Sequence, residues 1–141
     1  MRVFLRQMPV ALIHAPNADA WELIEQVRRG LPYKEVTQLG KVLGIDDEEL
    51  ARLASISPRT LARRREARRL NSLESERILR LVHIVRLTRD FFRGETTAVR
   101  DWLFDENAAL HGQAPIEVAT TEVGAREVEN LLGRLAHGVP V

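Results

Sequence analysis

The sequence contains no cysteine. That excludes a disulfide framework and any thiolate metal site, and it suits a reducing compartment. Long hydrophobic runs are missing too. The longest apolar stretch near the start, Met8 to Ile13, is interrupted by Pro9 and is far shorter than the roughly 20 residues that span a bilayer. So short and interrupted a run also falls below the apolar core of a secretory leader, so neither a signal peptide nor a membrane span is expected, and the chain reads as cytoplasmic. The nucleotide and metalloprotease signatures G-x-x-x-x-G-K-S/T, G-x-G-x-x-G and H-E-x-x-H do not occur. His14, His83, His111 and His137 are scattered without metal-ligand spacing, and the adjacent acids Asp46-Asp47 and Glu48-Glu49 point in different directions on a helix. No metal, cofactor or catalytic residue is expected, and the chain does not read as an enzyme.

Lysine is also scarce. Of 21 basic residues only two are lysine, so the positive charge rests on guanidinium groups, in part as a simple compositional bias. A net charge of +1 hides an asymmetry along the chain. Met1 to Gly94 carries 18 Lys and Arg against 12 Asp and Glu, whereas Glu95 to Val141 carries three Arg against eight acids. A basic half suits a polyanion; an acidic half is repelled by DNA and is freer to meet a protein. With 141 residues, 45% of them hydrophobic, the chain has material for one domain or two small ones sharing a core.

The stretch from Asp46 to Arg69 reads as a helix-turn-helix. Leu50, Ala51 and Ala54 share one face of a first helix, Ser55-Ile56-Ser57 makes a tight corner, and Pro58 opens a second helix that turns Leu61 inward. Ser57 is a natural N-cap, and Pro58 loses nothing at a first helical position, where its missing N–H would be unpaired anyway. Small Ala51 and Ser55 are expected to let the two helices cross closely. The candidate DNA-binding residues are Ser57, Arg59, Thr60, Arg63, Arg64 and Arg68, with Arg65 and Arg69 nearby. Arginine can grip phosphate or read guanine bidentately. The plainer alternative is an ordinary solvated, arginine-rich helix face, which has no reason to come with that corner.

Elsewhere the signals are those of helices, and no stretch alternates convincingly, so the fold class is all-α. Residues 1–16 have no clear period and form a short strand or an arm. Asn17-Ala18-Asp19 caps a helix to about Arg29, with Trp21, Ile24 and Val27 or Leu23 inward. Val36, Leu39, Val42 and Leu43 place a second helix before Gly44. Asn71 with Glu74 makes a capping box for a long helix from Ser72 to about Phe92. That helix is apolar over two faces, which sets it centrally, between the basic and acidic halves, or across a dimer interface. Thr96 or Thr97 opens a further helix, Pro115 another first turn, and Val128, Leu131, Leu132 and Leu135 mark a last amphipathic helix ended by Gly138.

The segments I-S-P-R-T-L-A-R-R (Ile56 to Arg64) and L-N-S-L-E-S-E-R-I-L-R (Leu70 to Arg80) resemble the Xre-type antitoxins of RES/Xre toxin–antitoxin pairs, the MbcA/ParS/Xre antitoxin family. Trp102-Leu103, Leu110, Gly112, Pro115-Ile116-Glu117, Thr121, Gly124-Ala125-Arg126 and Arg134 to Val139 are similar to that family's toxin-binding domain in order and spacing. One departure is Arg68-Arg69-Leu70, which stands where a glycine-containing turn is expected and predicts a more continuous junction with the long helix.

The resemblance implies a homodimeric antitoxin with two tasks. Its helix-turn-helix binds double-stranded promoter DNA of its own operon, at an inverted repeat, as an autorepressor. Its C-terminal region holds inactive a RES-domain toxin that consumes NAD or transfers its ADP-ribose. Carried over by residue, Arg134, His137, Gly138 and Val139 form the plug at the toxin's substrate entrance, supported by Arg126 and Glu129. The domain plan is then an N-terminal arm (1–16), a helix-turn-helix (Xre-like) domain with the long central helix (17–93), and a small helical C-terminal toxin-binding domain (94–141). The competing reading is a free-standing helix-turn-helix regulator whose C-terminal domain dimerises or senses a ligand. A third is an adaptor whose arginine-rich helix meets an acidic protein.

Overall fold

The computed structural model of the chain describes residues 11–15 and 19–138. Of the N-terminal arm only 11–15 fall within it, and Val139 of the plug lies outside the described residues. Among the described residues there are eight α-helices and no strand: α1 (Ala20–Arg29), α2 (Lys34–Leu43), α3 (Asp47–Leu53), α4 (Pro58–Ala67), α5 (Ser72–Phe91), α6 (Thr96–Phe104), α7 (Pro115–Val118) and α8 (Glu122–Ala136). Single 3-10 turns occur at Leu12–His14 and Ala108–Leu110. None of these helices is long and apolar enough to cross a membrane.

Five of the eight helices start where a side chain accepts a free N–H group. Helices α1, α2 and α7 have no side-chain cap bond among the described residues, so Asp19 does not cap α1 as expected; Asn17 and Ala18 lie outside the described residues. Asp46 Oδ1 accepts from the Glu49 amide at 2.9 Å, Ser57 Oγ from Thr60 at 3.1 Å and Thr121 Oγ1 from Gly124 at 3.0 Å. The capping box of α5 is complete, with Asn71 Oδ1 accepting from the Glu74 amide at 2.8 Å and Glu74 Oε1 from the Asn71 amide at 2.9 Å.

Helix α5 is the hub. Its Ile78, Leu81, Val82, Ile84 and Val85 are at most 1% exposed, and α1, α2, α6 and α8 all pack on it. That wrapping is why its apolar residues occupy two faces instead of one stripe. Leu39, Leu50 and Leu53 from the first half and Leu103, Ile116, Val128 and Leu131 from the second join it in one continuous core.

The loops on either side of the helix-turn-helix clasp one another. Leu70 N–H donates to Leu31 O at 2.9 Å and Tyr33 N–H to Arg68 O at 3.0 Å. Gly30 makes this approach possible: its φ is +92°, and a Cβ there would lie 2.0 Å from the Leu70 carbonyl oxygen.

Three further expectations are corrected. Trp21 is not in the core but 71% exposed. Helix α1 rests on its neighbours through the half-buried stripe Leu23, Ile24 and Val27, and Trp21 sits about 115° around the helix from the centre of that stripe. Ser55 does not serve the helix crossing. Ala51, fully buried, does that, while Ser55 is exposed and forms the corner itself at φ +55°. The junction after α4 is not continuous either: Arg68 takes the left-handed conformation at φ +62°, its N–H closing on the carbonyls of Arg64 and Arg65. An arginine does here what glycine does with less strain, at a cost of about 1–2 kcal/mol.

Candidate nucleic-acid and partner interfaces

Helix α4 fully buries only Leu61 and leaves most of its surface to solvent. Its N-terminal end carries a small polar array. Ser57 Oγ lies 2.9 Å from Thr60 Oγ1, and Arg63 Nη2 donates to that same oxygen at 3.3 Å. Arg59, Arg63 and Arg68 are exposed, and the side chains of Arg59 and Arg68 make no hydrogen bond or ion pair among the described residues. Arg59, Arg63, a hydroxyl pair and the helix N-terminus thus lie outward at one end of α4, a donor set that phosphate oxygens and guanine edges require, while Arg68 is exposed at the other end, where it caps the helix.

The other α4 arginines are held inside the protein's own structure. Arg64 grips Glu74 with two bonds, Nε to Oε1 at 2.7 Å and Nη2 to Oε2 at 3.1 Å. Burial works to raise the Glu74 pKa, but the bond from Arg64, the Asn71 N–H and the charges of Arg64 and Arg77 outweigh it and hold the carboxyl below its ordinary value. Arg65 pairs with Asp47 and lies 5.8 Å from the centre of the Tyr33 ring, while Tyr33 Oη donates to Asp47 at 2.7 Å. Burial first, and then the Asp47 carboxylate, push the Tyr33 phenol up. Arg69 Nη1 donates to Gly30 O at 2.6 Å, and Arg77 Nη1 to Ser55 O at 3.1 Å, steadying the corner.

The two halves are tied by arginines that sequence spacing does not reveal. Arg52 on α3 binds Glu49 on its own helix and Glu117 on α7, 65 residues away, and both carboxylates raise its pKa. Arg100 on α6 donates to the last carbonyls of α2, Val42 O at 2.9 Å and Lys41 O at 3.0 Å. Several helices separate these groups in sequence, so only the folded chain brings them together.

At the C-terminal end the candidate partner-binding residues fall into two places. Arg126, 3.4 Å from Glu122, and Glu129, 3.5 Å from His83 Nε2, line a groove between α1, α5 and α8 with Ile24, Val27, Leu79 and Arg80. Arg134, His137 and Gly138 stand at the end of α8, with His137 and Gly138 exposed. Glu129 and His137 are about 12 Å apart along the helix axis.

A tight helical corner followed by an outward arginine-bearing helix, on one core with a second small helical unit, defines a helix-turn-helix protein with an appended helical module. Residues 22–83 match the Antitoxin Xre-like helix-turn-helix domain, and residues 87–138 match the Antitoxin Xre/MbcA/ParS C-terminal toxin-binding domain. The chain is 31% identical to the Antitoxin Xre of Yersinia enterocolitica, over 90% of this chain and 86% of the relative. It is 28% identical to the Antitoxin Xre of Photorhabdus laumondii, over 88% of this chain and 84% of the relative. The chain belongs to the Xre family of antitoxins.

Proposed function

We propose that this antitoxin neutralises a RES-domain toxin, an enzyme that degrades NAD or transfers its ADP-ribose, by occluding the toxin's active site with its C-terminal region. The plug is Arg134, His137, Gly138 and Val139, with Arg126 and Glu129 giving lateral contacts. In the same reading residues 17–93 are the DNA-binding unit and 94–141 the toxin-binding unit, the protein acts in the cytoplasm, and it has no catalytic role of its own. As a homodimer it would set two α4 helices about 34 Å apart on successive major grooves of an inverted repeat in its own promoter. Ser57, Arg59, Thr60, Arg63 and Arg68 meet the DNA, and Arg64 positions the helix from behind.

The observation that carries this reading is the match of residues 87–138 to a toxin-binding domain, packed on the same core as a helix-turn-helix with three outward guanidiniums. Co-expression with the product of the adjacent reading frame tests it. A stoichiometric complex by light scattering, in which that product no longer consumes NAD or labels protein with ADP-ribose, is the expected result. A well-folded neighbour that forms no complex would leave a free-standing regulator.

A further inference from the structure

A second cationic site lies at the far end of the hub helix. His14 and Ile13 of the N-terminal 3-10 turn, together with Arg86, Arg89, Asp90 and Arg93, line a pocket of about 500 Å³. Arg89 is built into its wall: Nη1 donates to Ile13 O at 3.0 Å and lies 3.3 Å from His14 Nδ1, which leaves Nε and Nη2 uncommitted among the described residues. Neither Arg86 nor Arg93 forms an ion pair among the described residues, although Asp90 is three residues from Arg93 and four from Arg86 on the same helix end. Arg93 adopts φ +52°, a left-handed position where glycine is the easy choice.

The helix dipole accounts for a cation in the last turn of α5, but its effect fades within that turn and does not reach Arg86. Three guanidiniums against one carboxylate leave an excess of two positive charges, which matches a dianionic phosphate group better than a single carboxylate. Guanidinium forks also suit the bidentate geometry of phosphate oxygens. Duplex DNA is a poor occupant. Arg64 ties the recognition helix to Glu74 at the opposite end of α5, about 22 Å along the axis from Arg89, and the site is a recess and not a protruding ridge.

We propose that His14, Arg86, Arg89 and Arg93 form a binding site for a small phosphate-bearing anion, apart from the outward residues of α4; Arg86 also borders the groove of Arg126 and Glu129, so the two sites adjoin. Calorimetric titration of the full chain in chloride buffer, with inorganic phosphate and then pyrophosphate, tests it. One saturable site per chain is expected, weakened at least about tenfold by Arg86→Gln with Arg93→Gln and unchanged by Arg59→Gln with Arg63→Gln. Arg93→Gln alone, at an exposed position, gives the same direction of change should the double variant unfold. Absence of saturable binding up to about 20 mM, or binding removed by the α4 variant and not by the pocket variant, would overturn the site. So would a pocket variant that keeps phosphate binding but loses affinity for duplex DNA, because Arg86 and Arg93 would then be backbone contacts.

Discussion

Arg64 on the recognition helix and Glu74 in the first turn of the hub helix are joined by two parallel hydrogen bonds of 2.7 and 3.1 Å. Glu74 also closes the capping box with Asn71. One carboxylate thus anchors the second helix of the helix-turn-helix and starts the helix on which the whole core is built.

The Glu74→Gln variant keeps the shape and removes the charge. At pH 7 it should lower stability by about 1–2 kcal/mol, the difference between charged and neutral hydrogen bonds at a mostly buried site. The folded-state pKa of Glu74 is depressed below the ordinary 4.5, so its contribution is present above that value and is lost as pH falls through the folded pKa. Chemical denaturation of both proteins at pH 7 and at about pH 3 checks this: the gap must narrow at the acidic end.

Glu35 should behave in the opposite sense. Its residue is 3% exposed and accepts the Leu12 N–H at 2.8 Å. Burial raises its pKa above 4.5, against the opposing Leu12 bond and the Lys34 charge. Stabilisation from the neutral form is then complete below pH 4.5 and is lost as pH rises through the folded pKa. Glu35→Gln should melt at or above the wild-type temperature at pH 7, and that advantage should shrink toward pH 4. A variant less stable at pH 7 than at pH 4, relative to wild type, would refute the assignment.

Arg59→Ala and Arg63→Ala should leave the melting temperature unchanged and weaken promoter binding. Because each neutralised phosphate contributes about 0.9 to the log–log salt slope, the slope should become shallower by that amount for every arginine that ceases to reach the backbone. Arg64→Ala should weaken binding with the slope preserved, since it acts by holding the helix in place. Fluorescence anisotropy over a salt series separates the two outcomes.

Two glycines of α8 should respond with opposite signs to the same change. At Gly133 an added Cβ meets nothing within 4 Å, so Gly133→Ala should stabilise by about 0.5–1 kcal/mol through helix propensity. At Gly124 the Cβ would lie 1.8 Å from the Val118 carbonyl oxygen, so Gly124→Ala should destabilise by at least about 1–3 kcal/mol as α7 is forced away. Thermal unfolding of the two variants is sufficient.

Local chemistry makes much of this chain legible in its sequence. Ser57-Pro58, the Asn71 and Glu74 capping box and the periodic leucines of α8 set helix starts and faces, because caps and amphipathic stripes are interactions within one or two turns. The outward group on α4, Arg59, Thr60 and Arg63, follows from the same periodicity. Sequence could not say which arginines are free, for that depends on acids far away in the chain: Arg64 meets Glu74, Arg65 meets Asp47, Arg52 meets Glu117. Nor could it expose Trp21, since α1 has two angular positions for its stripe and packing on α5 selects one. The pocket of Arg86, Arg89 and Arg93 likewise needed the turn at Leu12–His14 to be folded against α5. Sequence determined the helices and the family, because those are written in short-range patterns. Tertiary structure decided which charges are paired inside the molecule and which are left to solvent, because an ion pair forms between neighbours in space.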